Sequence, residues 1–117
     1  MDERPILGLI EKATVKGTNK KELTLLARID TGAQNSSIDL DIAQQLQLGP
    51  IIKTKTIRNS HGQTLRPVIR VPIHVGTKDV IEEFTIANRS KMKYKILIGQ
   101  NILNKGFLID PLKRDHL

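Results

Sequence analysis

The stretch from Arg28 to Ser37 reads RIDTGAQNSS, and its first residues close an alternating strand. Over residues 23–30 the leucine, alanine and isoleucine side chains at odd positions point to one face of that strand. Asp30 lies on the other face, at the strand end. Thr31 supplies a hydroxyl group next to it, and Gly32 permits a tight turn with a close backbone approach. This order of residues exposes a carboxylate and holds it in place.

Short strands separated by turns surround this stretch. Apolar and alternating patterns predict strands over residues 5–16, 23–30, 51–60, 63–75, 80–87, 96–99 and 107–110. A helical period predicts one helix over residues 37–47, with Asp39 as its cap, and one or two helical turns at 100–104. Pro72 suggests a strand edge or a bulge. The predicted fold class is all-β: a small, closed or partly closed β-barrel with one or two short helices.

The amino-acid composition and the net charge exclude several classes of function. The chain of 117 residues is expected to form one domain, residues 1–117, and carries a formal net charge of +7. It has no cysteine, which excludes disulfides, thiolate zinc sites and a cysteine nucleophile. Aromatic residues make up only 3%, too few for a nucleic-acid surface built on base stacking. The basic residues are scattered, so a solvated surface explains the charge better than a nucleic-acid partner.

The sequence shows neither a secretory signal nor an apolar run long enough to span a membrane, and these two features predict the cellular location. The first residues carry no cationic start followed by an apolar run, so no secretory signal is visible. The apolar stretches are only a few residues long, far short of a membrane span. We therefore expect a cytoplasmic protein without a membrane partner.

Three segments together resemble the retropepsins, the single-domain aspartic proteases. Residues 30–33, DTGA, look like the active-site motif, and residues 96–103, ILIGQNIL, look like the later glycine and short helix. Residues 57–65, around His61-Gly62, are similar to the flap hairpin. Residues 27–33 and 88–92 resemble more specifically the retropepsin-like family named for its association with RimK and LysX, often labelled "ATP-dependent zinc protease". Most of that family has an acidic residue where this chain has Asn88.

The resemblance implies a homodimer with a shared active site. The mechanism needs two carboxylates that share one proton, and this chain has a single Asp-Thr-Gly. A two-fold axis would bring Asp30 of each subunit together. Thr31 would then hydrogen-bond across the axis, while Gly32 and Ala33 would line the channel for an extended peptide. The resemblance also implies that the terminal strands, near residues 6–9 and 107–110, join the dimer interface.

Further site residues follow from resemblance and from strand parity. The expected substrate contacts are Arg28, on the same strand face as Asp30, the flap-tip residues Ser60, His61 and Gly62, and Arg66 beyond the turn. Loop support is expected from Gln34, Ile98, Gly99 and Gln100. Retropepsins usually have an acid and an arginine where this chain has Gln34 and Gln100, so an amide pair would replace an ion pair. Arg28 in place of an apolar residue predicts a preference for acidic peptides, unless Arg28 instead pairs with an internal acid or holds the Asp30 loop.

The sequence predicts no cofactor and no metal, despite the family label. It has no glycine-rich phosphate loop ending in Gly-Lys-Ser/Thr. Its three histidines, His61, His74 and His116, are far apart, and they do not form a His-Glu-x-x-His motif.

Three functions therefore compete. The leading one is a homodimeric aspartic endopeptidase that hydrolyses peptide or protein substrates. The alternative is a non-catalytic retropepsin-like domain that binds a peptide or a partner, and the third is a nucleic-acid-binding β-barrel. Asp30 favours the first, because a binding fold has no need for a carboxylate in that turn.

Overall fold

The computed structural model describes residues 2–114, which form nine strands, two short α-helices and one 3₁₀ turn. The strands are β1 (Ile6–Leu7), β2 (Ile10–Lys16), β3 (Glu22–Ile29), β4 (Ser36–Asp39), β5 (Lys53–Asn59), β6 (Gly62–Val75), β7 (Lys78–Ala87), β8 (Ile96–Ile98) and β9 (Leu108–Ile109). The helices are α1 (Leu40–Gln45) and α2 (Gln100–Leu103), and the 3₁₀ turn spans Thr18–Lys20.

Six strands close into a barrel, which confirms the predicted fold class. Their order is β2-β3-β8-β4-β7-β6, and β6 pairs with β2 again to close the ring. The β3–β8 and β4–β7 pairs are parallel, and the other pairs of the ring are antiparallel. β1 and β9 form a separate two-stranded parallel sheet. Closure leaves the ring no free edge strand.

The barrel interior is the hydrophobic core, and strand parity decides which side chains enter it. Alternate residues of the ring strands point inward, and most of them are fully buried, whereas Leu23, Leu25 and Val80 are partly buried. The largest of these side chains are Phe84, Ile38, Ile69, Ile73, Ile96 and Ile98. The side chains between them point outward. Arg28, Ser37 and Leu97 belong to this outward set, in one row across three neighbouring strands.

A hairpin projects beyond the barrel. β5 pairs only with β6, over Lys53↔Val68 to Asn59↔Gly62, and the part of β6 beyond Val68 turns to β7 instead. Along β5 nearly every side chain is exposed. Pro72 pairs with Ile81 of β7 at a position where β6 has no partner on its other side.

Two local expectations are wrong. The helix expected from residue 37 begins only at Leu40, because residues 36–39 form β4, hydrogen-bonded between β7 and β8. Pairing on both sides outweighs the helical spacing of Ile38 and Ile42 there. Asp39 is nevertheless the N-cap, and its side chain accepts a hydrogen bond from Asp41 N. The run over residues 5–16 forms two strands rather than one, β1 and β2.

Candidate active site

Asp30 lies in a tight turn directly after β3, and three hydrogen bonds fix it. Its backbone N–H donates to Ile98 O (2.9 Å), and its carbonyl oxygen accepts from Ala33 N (3.3 Å). Its carboxylate oxygen Oδ1 accepts from Gly32 N (3.0 Å). A Cβ at Gly32 would lie 3.4 Å from that oxygen. Asp30 itself is half-buried, and Thr31 and Gly32 are exposed. The turn therefore holds one carboxylate oxygen and presents the group at the barrel surface.

The start of α2 supports the other end of this loop. Gln100 N donates to Ala33 O (2.7 Å) and Asn101 N to Gln34 O (3.3 Å). The Gln100 side chain donates from Nε2 to Thr31 O (2.8 Å), so it bonds to the turn backbone and not to the Gln34 amide. Gln34 is exposed. The loop is thus held by neutral hydrogen bonds, where the sequence led us to expect a pair of side-chain amides.

Gly99 is the residue that lets α2 approach the loop. A Cβ at this position would lie 2.5 Å from Asn35 O and 2.7 Å from Ala33 O, distances that real Cβ atoms do not show. The Gly99 N–H donates to Ser36 Oγ (3.0 Å), and Ser36 Oγ donates to Asn101 Oδ1 (2.7 Å). Asn101 was not expected from the sequence, since a single amide in a short helix gives no pattern.

A groove of about 500 Å³ lies between this loop and the projecting hairpin. Residues 33–35 of the loop line one side, and residues 55–58 of β5 line the other, with Arg66 opposite them on β6. Lys55 Nζ donates to Asn35 Oδ1 (2.7 Å) and joins the two sides. The structure thus brings Ala33, Gln34 and Arg66 to one groove.

The tip of the hairpin is the expected flap tip. Ser60 and His61 form the two-residue turn, and Gly62 follows with a φ of 124° that favours glycine. His61 N donates to Asn59 Oδ1 (2.8 Å). All three tip residues are exposed and do not line the groove, whose hairpin side is formed further down by residues 55–58.

Arg28 lies outside the groove. It is exposed, forms no ion pair within residues 2–114, and borders a second cavity of about 550 Å³ beside Leu9 and Tyr94. Its position two residues before Asp30 puts both side chains on the outward face of the barrel. An internal acid partner for Arg28, which the sequence left open, is absent from the described part of the chain.

Arg89 is a cation that the sequence did not assign to the site. It is 8% exposed and lines the same groove as Arg66. Its backbone N–H donates to Asp39 Oδ1 (2.6 Å) and its Nε to Tyr94 O (3.0 Å). Burial lowers the pKa of Arg89, and the positive charges of Arg66 and Arg28 act in the same direction, while Asp39 opposes them.

The histidine and acidic side chains of the described residues are dispersed. Within residues 2–114 no three His, Asp or Glu side chains come together in an arrangement that could hold a metal ion. His74 bonds through Nδ1 to Asp79 Oδ1 (3.0 Å), and His61 is at the hairpin tip. His116 lies outside the described residues. No helix in the described range is long and apolar enough to cross a membrane.

A closed six-stranded barrel, an Asp-Thr-Gly turn after β3 and a hairpin over the groove define the retropepsin-like aspartic protease fold. Residues 42–116 match the model of the RimB-like family, described as "Retropepsin-like aspartic endopeptidase RimB". The chain belongs to this family. The sequence-based assignment to retropepsin-like, RimK-associated proteins is thereby confirmed.

Two solved structures share the fold. A crystal structure of a Legionella pneumophila protein of unknown function has a TM-score of 0.65 and 25% identity, covering 93% of this chain and 95% of that one. The solution structure of simian foamy virus protease has a TM-score of 0.59 and 22% identity, covering 81% and 91%.

Two curated relatives are named probable alpha-L-glutamate ligases. The one from Desulfotalea psychrophila is 29% identical over 110 residues, 73% of this chain and 24% of the ligase. The one from Parasynechococcus marenigrum is 33% identical over 63 residues, 53% of this chain and 14% of the ligase. The chain thus spans a quarter or less of the length of these relatives.

Proposed function

We propose that this chain acts as one aspartic endopeptidase domain whose active site is completed by a second copy. The observation that carries this proposal is the Asp30 turn. It fixes one carboxylate oxygen through Gly32 N and leaves Thr31 and Gly32 exposed at the outside of a closed barrel. A second copy related by a two-fold axis can bring its own Asp30 to the same place. The family and the fold support this assignment.

In the proposed dimer the two Asp30 carboxylates share one proton, because two like charges this close do not both ionise. The ionised carboxylate takes a proton from a water molecule as the water oxygen attacks the peptide carbonyl carbon. The protonated carboxyl group gives its proton to the carbonyl oxygen. The C–N bond of the resulting diol intermediate then breaks: the protonated carboxyl group gives its proton to the leaving nitrogen, and the ionised carboxylate takes a proton from one hydroxyl group of the intermediate. The products are a carboxyl group and an amine, and the dyad again holds one proton.

We propose further that the substrates are acidic. Arg28 lies on the same strand face as Asp30 without an acid partner in the described chain, and the formal net charge is +7. A guanidinium group beside the scissile bond favours a carboxylate. Two relatives that contain a matching region are named glutamate ligases, which fits a domain that acts on glutamate-bearing peptides.

We place the dimer interface at the Asp30 turn and the terminal sheet. β1 and β9 pair with each other in parallel, and Ile6 and Leu9 are 49% and 45% exposed beside them. A second copy would cover these apolar side chains.

The catalytic role is tested by Asp30→Asn, with Asp41→Asn as the matched control. Both changes remove one negative charge, and Asp41 is exposed on α1. Asn cannot accept the proton from water, so Asp30→Asn should lower peptide cleavage at least about 100-fold. Asp41→Asn should cleave peptides at the rate of the native protein. A chelator should not lower the cleavage rate of the native protein. Full activity of purified Asp30→Asn would refute the aspartic mechanism, and loss in chelator with recovery in zinc would establish a metal mechanism. A native protein that binds peptides without cleaving them would leave the peptide-binding domain as the function.

The shared site is tested by dilution. Specific activity should fall as the protein is diluted below the dimer dissociation constant, because each subunit holds half of the dyad. Sedimentation at the same concentrations should show the monomer appearing in parallel. An active monomer would exclude the shared dyad.

The acidic preference is tested with a peptide library on the native protein, Arg28→Leu and Lys12→Leu. Lys12 is an exposed cation on β2, so its loss controls for net charge. Arg28→Leu should shift the preferred residue next to the cleaved bond from Glu or Asp to apolar residues. An identical profile for all three proteins would refute the role of Arg28.

A further inference from the structure

The floor of the groove contains a buried polar atom that lacks a partner. Ser37 is 5% exposed, and its Oγ is the one buried side-chain oxygen or nitrogen in residues 2–114 that makes no hydrogen bond. Ser37 lies on β4 between Leu97 of β8 and Thr85 of β7, and all three line the groove. A buried hydroxyl group without a partner costs free energy, and a polar ligand in the groove would recover it by adding a hydrogen bond.

A buried guanidinium group lines the same groove. Arg89 donates from Nε to Tyr94 O, and its two terminal nitrogens donate to no residue of the described chain. Arg66, half-buried on β6, also lines the groove and forms no ion pair within residues 2–114. Asp39, the acid whose charge opposes the lowered pKa of Arg89, already accepts hydrogen bonds from the backbone N–H groups of Arg89 and Asp41.

Burial and the repulsion between the two guanidinium groups destabilise the positive charge of Arg89 in this groove. The burial of Arg89 and the charge of Arg66 both lower the pKa of Arg89, so the charged form is destabilised in place. An anion in the groove would reduce the repulsion between Arg89 and Arg66. It would also accept hydrogen bonds from the terminal N–H groups of Arg89 and from the Ser37 hydroxyl group. A carboxylate suits a guanidinium fork and one hydroxyl donor.

We propose that Ser37, Arg89 and Arg66 form a carboxylate-binding subsite, separate from Arg28, that selects an acidic group on the bound peptide. This inference rests on the proposed protease function for its biological use, but the binding step itself does not require cleavage. The carboxylate comes either from an acidic side chain or from the C-terminus of the peptide.

The register places this subsite away from the cleaved bond. Ser37 pairs with Leu97 and Leu97 with Arg28, so Ser37 is two strand spacings, roughly 10 Å, from Arg28. An extended peptide advances roughly 3.4 Å per residue. The subsite therefore receives a group about three positions beyond the residue that Arg28 faces beside the scissile bond.

The test measures binding without turnover, in the Asp30→Asn protein. The probe is a fluorescent eight-residue peptide with four glutamates, its single Glu→Gln variants, and each peptide as the C-terminal acid and amide. One of these changes should weaken binding at least about tenfold, the loss expected for a charge-assisted pair. A Glu→Gln effect assigns the subsite to a side chain, and an effect of amidation assigns it to the chain end.

The subsite residues are tested by adding Ser37→Ala or Arg66→Gln, with Lys12→Gln as the control that removes one distant charge. Ser37→Ala and Arg66→Gln should each abolish most of the tenfold discrimination and leave binding of the neutral variant peptide unchanged. Lys12→Gln should retain the discrimination. Arg89→Gln is a poorer probe, since Arg89 Nε also holds Tyr94 O.

Two results would overturn the subsite: no peptide variant binds more weakly, or Ser37→Ala and Arg66→Gln discriminate as well as Lys12→Gln does. Failure of the protease proposal is a separate outcome. In that case the native protein does not cleave the peptide, while the carboxylate discrimination and its dependence on Ser37 and Arg66 persist.

Discussion

The contact between Gly99 and the Asp30 loop predicts a large loss of stability for Gly99→Ala. The new methyl group would lie 2.5 Å from Asn35 O and 2.7 Å from Ala33 O, and both neighbours are backbone atoms. Relief requires the loop and α2 to separate, which stretches the 2.7 Å bond from Gln100 N to Ala33 O. Overpacking of this kind costs up to about 3 kcal/mol, a total to which a weakened hydrogen bond contributes about 1 kcal/mol.

The expected loss of stability in Gly99→Ala is large enough to measure by thermal unfolding. The unfolding entropy of a domain is roughly 2.1 cal/mol/K per residue, so 3 kcal/mol lowers the Tm of 117 residues by about 12 °C. The matched control is Gly32→Ala. Its methyl group would lie 3.4 Å from Asp30 Oδ1, an ordinary contact, and φ at Gly32 is not in the positive range. Gly32→Ala should change the stability by no more than about 1 kcal/mol.

Calorimetry on both variants decides the matter. A Tm for Gly99→Ala within about 4 °C of the native value would mean that the loop yields freely and that Gly99 does not hold it. A large loss in Gly32→Ala would show instead that the Asp30 turn tolerates no side chain at all, and the steric comparison would fail.

Three further predictions concern charged groups away from the groove floor. Asp39→Asn should destabilise the fold by about 2 kcal/mol in denaturant titration, because an amide cannot accept from both Arg89 N and Asp41 N as the buried carboxylate does, whereas exposed Asp41→Asn should be neutral. Glu11→Gln should cost about 2 kcal/mol in the same assay, since Glu11 is buried and Lys113 Nζ lies 2.6 Å from its Oε1. His74→Gln should raise the pKa of Asp79 in a carboxyl NMR titration, because the hydrogen bond from His74 holds that pKa below its ordinary value of 3.8. The sign follows: this contact stabilises the fold above about pH 4 and is lost as the pH falls through the lowered pKa.

Alternation of apolar residues predicts the barrel well because closure buries one face of every ring strand. Ile69 and Ile73 of β6, like Ile96 and Ile98 of β8, are all buried as period-two patterns require. The same reasoning misplaces the start of α1. Ile38 and Ile42 are four residues apart, so they fit one helical face, but Ile38 belongs to a strand paired on both sides. Only tertiary pairing separates these two interpretations.

The Asp30 turn could be predicted from the sequence and the proposed carboxylate subsite could not, for a related reason. The residues of the Asp30 turn are contiguous, so the sequence of residues 28–37 alone indicates an exposed carboxylate in a tight turn. Ser37, Arg66 and Arg89 come from β4, from β6 and from the segment after β7. Each is a single polar residue with no periodic pattern, and their common groove exists only after the barrel has closed.

The segment that matches the family and the Asp30 turn are different parts of the chain, and they contact each other at Gly99 and Gln100. The match covers residues 42–116, and the turn lies before that range. The matched part includes Gly99, which has no room for a Cβ because of Asn35 O and Ala33 O. It also includes Gln100, whose backbone and side chain donate to Ala33 O and Thr31 O. The matched segment therefore packs closely against residues 31–35, and the turn that begins this loop carries the Asp30 carboxylate. If Gly99→Ala weakens the fold while Gly32→Ala does not, the matched segment depends on the position of that loop, which is the property that a shared carboxylate dyad requires.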